Sequence, residues 1–150
     1  MRLHLKKPDR ATAGRQAREA LAVRRVRLTQ ERELVLDGVM AMGGHFGVED
    51  LVFALRKGGH RVSRATVYRT LDLLVDAGLL QRLSVDEGGW QYEVMHGRTP
   101  HAHLYCVRCG KLADYPVSGL EELHARVQRE TQFKPQHHVL RICGICADCR

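Results

Sequence analysis

All five cysteines of this 150-residue chain lie beyond residue 105: Cys106, Cys109, Cys143, Cys146 and Cys149. They form one Cys-x2-Cys unit followed by two that overlap. Two thiolates two residues apart can reach one ion from a single tight turn, so paired units of this kind predict a closed tetrahedral zinc site. Cys106-Val107-Arg108-Cys109-Gly110 has the form of a zinc knuckle, with Gly110 permitting the turn. The rival reading is a thioredoxin-like redox pair, which lacks the strand–helix–strand context it needs. On spacing alone, Cys143 with Cys146 is as good a second unit as Cys146 with Cys149. Upstream, His101-Ala102-His103 would set two imidazoles on one face of a strand, where both can bind one ion.

A second chemistry is written in charge. Lys and Arg number 24 against 17 Asp and Glu, a net charge of +7. Residues 1–32 hold ten basic residues and three acidic ones, so this fifth of the chain carries the whole excess. A basic N-terminal arm is the electrostatic footprint of a polyanion-binding protein, with nucleic acid as the partner class it suggests and a solvated helical surface as the rival reading. With 5% aromatic residues, stacking would not dominate the binding surface.

Positioning these groups requires folded elements, and 44% hydrophobic with 27% charged residues suits one or two small soluble domains. No apolar run approaches the roughly 20 residues of a membrane span, and no apolar stretch follows the basic N-terminus. A cytoplasmic protein without membrane contact is therefore expected. Residues 1–14 read as an irregular tail broken by Pro8 and Gly14. Helices are predicted over 15–26, over 30–42 behind the cap Thr29, over 48–57, and from Ser63 to Ala77. Leu34, Val39 and Met42 form the expected inner stripe of the second; Val67, Leu71 and Leu74 that of the fourth. Gly78 follows as a left-handed helix stop. Strands over 79–85 and 90–94, joined by an Asp86–Gly89 turn, complete a winged helix-turn-helix order. After a linker at 97–100, strands at 101–106 and 111–115, a helix over 119–131 capped by Ser118, and a strand at 138–142 make a small second domain. The expected fold is α+β, with a winged-helix domain over 1–95 and an α/β domain over 96–150. His4, His60 and His96 read as surface residues.

In a helix-turn-helix the second helix enters the major groove. With Val67, Leu71 and Leu74 facing the core, Arg64 and Tyr68 share the outer face. Arginine can bond guanine in bidentate fashion, worth about 1–3 kcal/mol of discrimination. Tyrosine can pack on a thymine methyl, while Ser63, Thr66 and Arg69 suit phosphates.

These segments together resemble the ferric uptake regulator family of bacterial metal-dependent, dimeric repressors. ATVYRTLDLLVDAGLL (65–80) is similar to the family's recognition helix, HAHLYCVRCGK (101–111) to its histidine block and zinc knuckle, and His138 with CADC (146–149) to its C-terminal motif. RLTQER (27–32) resembles the segment leading into its second helix and adds Arg27 to the DNA-binding residues. The resemblance implies a homodimer on a double-stranded operator, with the second domain dimerising. It assigns structural zinc to Cys106, Cys109, Cys146 and Cys149, leaving Cys143 in the last strand as a small buried side chain or spare thiol. It implies a regulatory metal site at His45, Glu93, His101 and His103, with Asp114 as an additional carboxylate. A further family site is represented by Glu121 and His138, its other two positions being Pro100 and Ala102, so His124 or His137 would have to substitute.

Three imidazoles and a carboxylate, without thiolate, suit Fe²⁺, Mn²⁺ or Zn²⁺. Zinc-uptake members typically carry a cysteine near the end of the wing, where this chain has Tyr92-Glu93-Val94-Met95. The resemblance therefore implies an iron- or manganese-responsive repressor with metal as corepressor. A peroxide-sensing or zinc-uptake regulator of the same family is the alternative, since Glu93 and Asp114 mix the carboxylates of the iron and peroxide branches. A metallohydrolase would need an open coordination position, a base and a substrate pocket. No HExxH or equivalent is present, and neither catalysis nor a small-molecule substrate is expected.

Overall fold

The computed structural model describes residues 9–85, 89–95, 100–135 and 138–150. They fall into two compact units, residues 9–95 and 100–150. Pro8, His4, His96, His137, most of the Asp86–Gly89 turn and most of the 97–100 linker lie outside the described residues.

The first unit opens with α1 (Arg10–Val23), where an irregular tail was expected. Asp9 starts it, its carboxylate accepting from the Thr12 backbone N–H at 3.1 Å, which outweighs the helix penalty of Gly14. Gly14 is buried inside the helix, and a Cβ there would meet Arg18 Nη1 at 3.2 Å. The helix ends three residues earlier than expected, where Arg25 turns to φ 55°. α2 (Gln30–Met42) is capped by Thr29 and stopped at Gly43. Its buried residues are Val35, Leu36, Val39 and Met40, so the inner stripe is rotated from the expected Leu34–Val39–Met42. Arg18 of α1 binds both Glu33 and Asp37 of α2, fixing that rotation from outside the core. α3 (Val48–Lys57) crosses α2 closely: a Cβ on Gly38 would lie 2.9 Å from Leu51 Cδ1.

α4 (Arg64–Asp76) follows, with Ser63 Oγ accepting from the Thr66 backbone N–H. Val67, Leu71 and Leu74 are fully buried as expected, and Gly78 takes the left-handed φ of 73° beyond the cap. A three-stranded antiparallel sheet completes the unit: β1 (His45–Gly47), β2 (Leu80–Val85) and β3 (Gly89–Val94), in the order β1-β3-β2. β1 was not anticipated; only Phe46 in it is buried, stacked on Tyr92 at 5.9 Å between centroids. The contiguous apolar core lies in this unit, between Ala13 and Val94.

The second unit is a sheet of β4 (His101–Cys106), β5 (Leu112–Pro116) and β6 (Arg141–Gly144), with α5 (Leu120–Thr131) crossing between β5 and β6. β4 is central, antiparallel to β5 and parallel to β6. α5 begins at Gly119, φ 83°, without a side-chain cap, so Ser118 does not play the expected role. β6 starts at Arg141 rather than His138, because its pairing with β4 begins at His103↔Arg141. Cys143 lies in this edge strand and is exposed, not buried. Among the described residues, no helix is long and apolar enough to cross a membrane.

Candidate metal centres and nucleic-acid interface

The parallel register of β4 and β6 sets Cys106 opposite Gly144, so the turn after β4 and the chain leaving β6 emerge side by side. The Gly110 N–H closes the first turn on the Cys106 carbonyl at 2.9 Å, helped by φ 70° at Gly110. Beyond β6 a 3-10 turn (Ala147–Cys149) folds back, the Cys149 N–H reaching the Cys146 carbonyl. The sulfurs of Cys106, Cys109, Cys146 and Cys149 then lie within 4.8 Å of one another. Cys109 and Cys146 are 3.7 Å apart, and Cys143 is not in the group. The backbone N–H of Cys146 donates to Cys106 Sγ at 3.3 Å, and with Cys109's it draws that thiol down to about 6. Hydrogen bonding to the Cys146 and Cys109 sulfurs pushes the Cys149 thiol the other way, to about 12. The Lys111–Asp148 ion pair at 2.7 Å joins the two turns. Four soft donors from two tight turns fit zinc in a closed site, where the ion needs no exchangeable position.

In the second unit, His101 and His103 share a face of β4, their rings edge-on at 4.9 Å. The β4–β5 register sets Asp114 opposite His103, with Oδ1 3.6 Å from Nδ1. Donor atoms of these three residues lie within 4.8 Å of one another, and both histidines are buried. In the first unit, the unanticipated β1 sets His45 opposite Glu93 on β3, Nε2 to Oε1 3.8 Å. Glu93 has no exposed surface; a buried carboxylate needs compensating positive charge or hydrogen bonds. Imidazole and carboxylate without thiolate make both sets fit a borderline divalent cation.

Glu121 is exposed on α5 and joins no group of three donors among the described residues. His138 instead meets His124, Nδ1 to Nε2 3.1 Å.

The α4 surface carries the remaining expected residues except Arg27, which lies between α1 and α2. Tyr68 is 45% exposed, and Arg27, Ser63, Arg64 and Arg69 are exposed. Ser63 and Thr66 hydroxyls meet at 2.9 Å within the helix cap. Arg64 Nη2 donates to Glu49 Oε2 of α3 at 2.7 Å, a pairing across 15 residues that no local pattern announced.

The sequence matches the ferric uptake regulator family over residues 24–143, most of its length. The chain belongs to the ferric uptake regulator family. Members of this family are metal-responsive, DNA-binding transcriptional repressors, and this chain is one of them. It is 32% identical to a ferric uptake regulation protein of Campylobacter upsaliensis over 126 residues, covering 83% of this chain and 80% of that protein. It is 30% identical to the peroxide operon regulator of Bacillus subtilis, covering 90% and 92% of the two chains. Its fold superposes with a TM-score of 0.60 and 28% identity on a zinc uptake regulator solved with zinc and DNA, covering 95% of each chain. The family's winged-helix and dimerisation domains correspond in kind to the two units described above.

Proposed function

We propose that this protein is an iron- or manganese-responsive repressor whose regulatory ion is held by His45, Glu93, His101 and His103, with Asp114 alongside. The observation that supports it is the donor set: imidazoles and carboxylates without a sulfur, separated from a complete four-cysteine group. Soft and borderline metals are thereby sorted to different sites. Cys106, Cys109, Cys146 and Cys149 would hold structural zinc.

An ion at the regulatory site supplies a positive centre that ligands from both domains, taken as 1–95 and 96–150, can share. His45 and Glu93 belong to the winged helix, and His101 and His103 to the dimerisation domain. Gathering all four fixes the angle between the domains of a protomer. In a homodimer that angle sets the separation of the two α4 helices, which must match half-sites about one helical turn or a multiple of it apart. Moving such a balance from 1:99 to 99:1 needs about 5.5 kcal/mol of differential binding. In DNA-bound form, Arg64 and Tyr68 read base edges, while Arg27, Ser63, Thr66 and Arg69 hold the backbone.

The test is operator binding by protein stripped of its regulatory metal, titrated in parallel with Mn²⁺, anaerobic Fe²⁺ and Zn²⁺. Binding restored by Mn²⁺ or Fe²⁺ at the free concentration each reaches in a cell, and not by Zn²⁺ at its own far lower cellular concentration, supports the reading. Restoration by Zn²⁺ alone would make the protein a zinc regulator. Loss of binding on adding peroxide to the iron form, but not the manganese form, would place it among the peroxide sensors.

A further inference from the structure

Arg64 stands where stability alone would not place it. It is the first residue of α4, whose first turn holds no acidic side chain. The amino end of a helix carries partial positive charge, so a cation there opposes the dipole. The compensating charge comes from another helix: Arg64 Nη2 donates to Glu49 Oε2 of α3 at 2.7 Å. The cap of α3 does not use Glu49, because the neighbouring Asp50 accepts from the Gly47 backbone N–H at 2.8 Å. The Arg64 and Glu49 side chains are 58% and 63% exposed, and an ion pair this open to water adds little stability.

What the pair does fix is direction. An unpaired surface arginine samples many rotamers, whereas Glu49 ties this guanidinium to the first turn of α3. Arginine has five N–H donors, so those not engaged by Glu49 remain for the O6 and N7 of a guanine. Tyr68, four residues on, stands on the same side of α4. A fixed carboxylate beside Arg64 also repels phosphate, the partner that a lone surface cation takes in any sequence. Glu31 Oε2 of α2, 3.4 Å from Thr66 Oγ1, places a second carboxylate against the same turn of α4.

We propose that Glu49 is a positioning residue that sets DNA sequence specificity through Arg64. It holds the guanidinium toward a guanine edge and bars it from the phosphate backbone. Glu49 thereby raises discrimination and lowers affinity for random sequence. The proposal deepens, and rests on, the reading of Arg64 as a base contact.

The full-length, metal-loaded protein is titrated with a duplex selected by it from a randomised pool, with every single base-pair variant of that duplex, and with a duplex of random sequence. Arg64→Ala should abolish the preference for guanine at one position of each half-site and leave the other positions unchanged. Glu49→Ala should weaken that same preference by about fivefold, the lower end of what one bidentate contact discriminates. It should also tighten binding to random duplex and steepen the slope of log K against log salt by about 0.9 for each protomer bound, as Arg64 turns to a phosphate. Glu49→Gln keeps an acceptor oxygen for Arg64 and should restore the preference. Glu31→Ala removes an equal charge without touching Arg64 and should leave the preference intact. Unchanged melting temperatures verify folding of these surface variants. Wild-type preference at the Arg64 position in Glu49→Ala would overturn the proposal. So would loss of that preference in Glu31→Ala or Glu49→Gln, which would make charge rather than direction the cause, or equal weakening at every position in Glu49→Ala. An Arg64→Ala variant that keeps the full preference would refute the base-contact reading itself, and the proposal with it.

Discussion

Removal of the four-cysteine site should unfold one part of this protein and spare the other. The two units differ sharply in what holds them. The contiguous buried cluster runs from Ala13 to Val94, entirely in the first unit. Among the described residues of the second, the buried apolar side chains are Ala102, Tyr105, Cys106 and Leu120. Fully burying a large apolar side chain contributes about 1.5–3 kcal/mol, so these four, one of them an alanine, supply far less than the cluster of the first unit. A closed zinc site contributes about 10–16 kcal/mol, as much as or more than the net stability of a typical domain, about 5–15 kcal/mol. Cys106→Ser removes one of the four sulfurs and puts a shorter, harder oxygen opposite the Cys146 N–H. The expected outcome is loss of bound zinc, loss of the dimer, and exchange of the β4, β5 and β6 amides at near-unfolded rates. The α2, α3 and α4 amides should keep their protection. Cys143→Ser, in β6 next to the site but outside the sulfur group, serves as the control and should match wild type. Hydrogen exchange read by mass spectrometry, with a metal count on the same samples, measures both. Zinc-free Cys106→Ser with protected β4 amides would refute the reasoning, as would zinc release by Cys143→Ser.

Leu71 is fully buried on the inner side of α4, so Leu71→Ala should cost about 2–5 kcal/mol in urea unfolding of the first unit; a loss below 1 kcal/mol would mean that α4 is not packed as described. Tyr68→Ala should reduce binding to the selected duplex by about 5- to 150-fold, the range of one lost base contact, and leave random duplex nearly unchanged; equal losses on both would move the reading surface off this helix face. The double variant His101→Ala, His103→Ala should retain cysteine-bound zinc and the dimer yet lose metal-stimulated operator binding, checked by metal analysis and gel shift, whereas full metal response in that variant would shift the sensor toward His124 and His138.

What the sequence determined by itself was mostly local. A cap, a stop and a helical stripe lie within one stretch of chain, so Ser63, Gly78 and the Val67–Leu71–Leu74 face of α4 could be read from spacing. The zinc knuckle at Cys106–Cys109 is equally local, because one tight turn brings its two sulfurs together. Helix α1 ran against its local signals, since Gly14 reads as a breaker until Met40 and Arg18 are seen around it. The rotation of α2 was likewise decided by its neighbours: Arg18 pins Glu33 and Asp37 from one side, and Leu51 closes on Gly38 from the other. The sites depend most on pairings between distant strands. β1 is three residues with one buried side chain, too short for any periodicity, yet its register alone sets His45 against Glu93. Asp114 meets His103 only through the β4–β5 register. The choice between Cys143 and Cys149, open on spacing, follows from where parallel β6 ends beside β4: Cys143 stays in the exposed edge strand, while the chain beyond Gly144 turns Cys146 and Cys149 toward Cys106 and Cys109. Strand registers of this kind join residues some 10 to 50 positions apart, and no local spacing rule encodes such a distance.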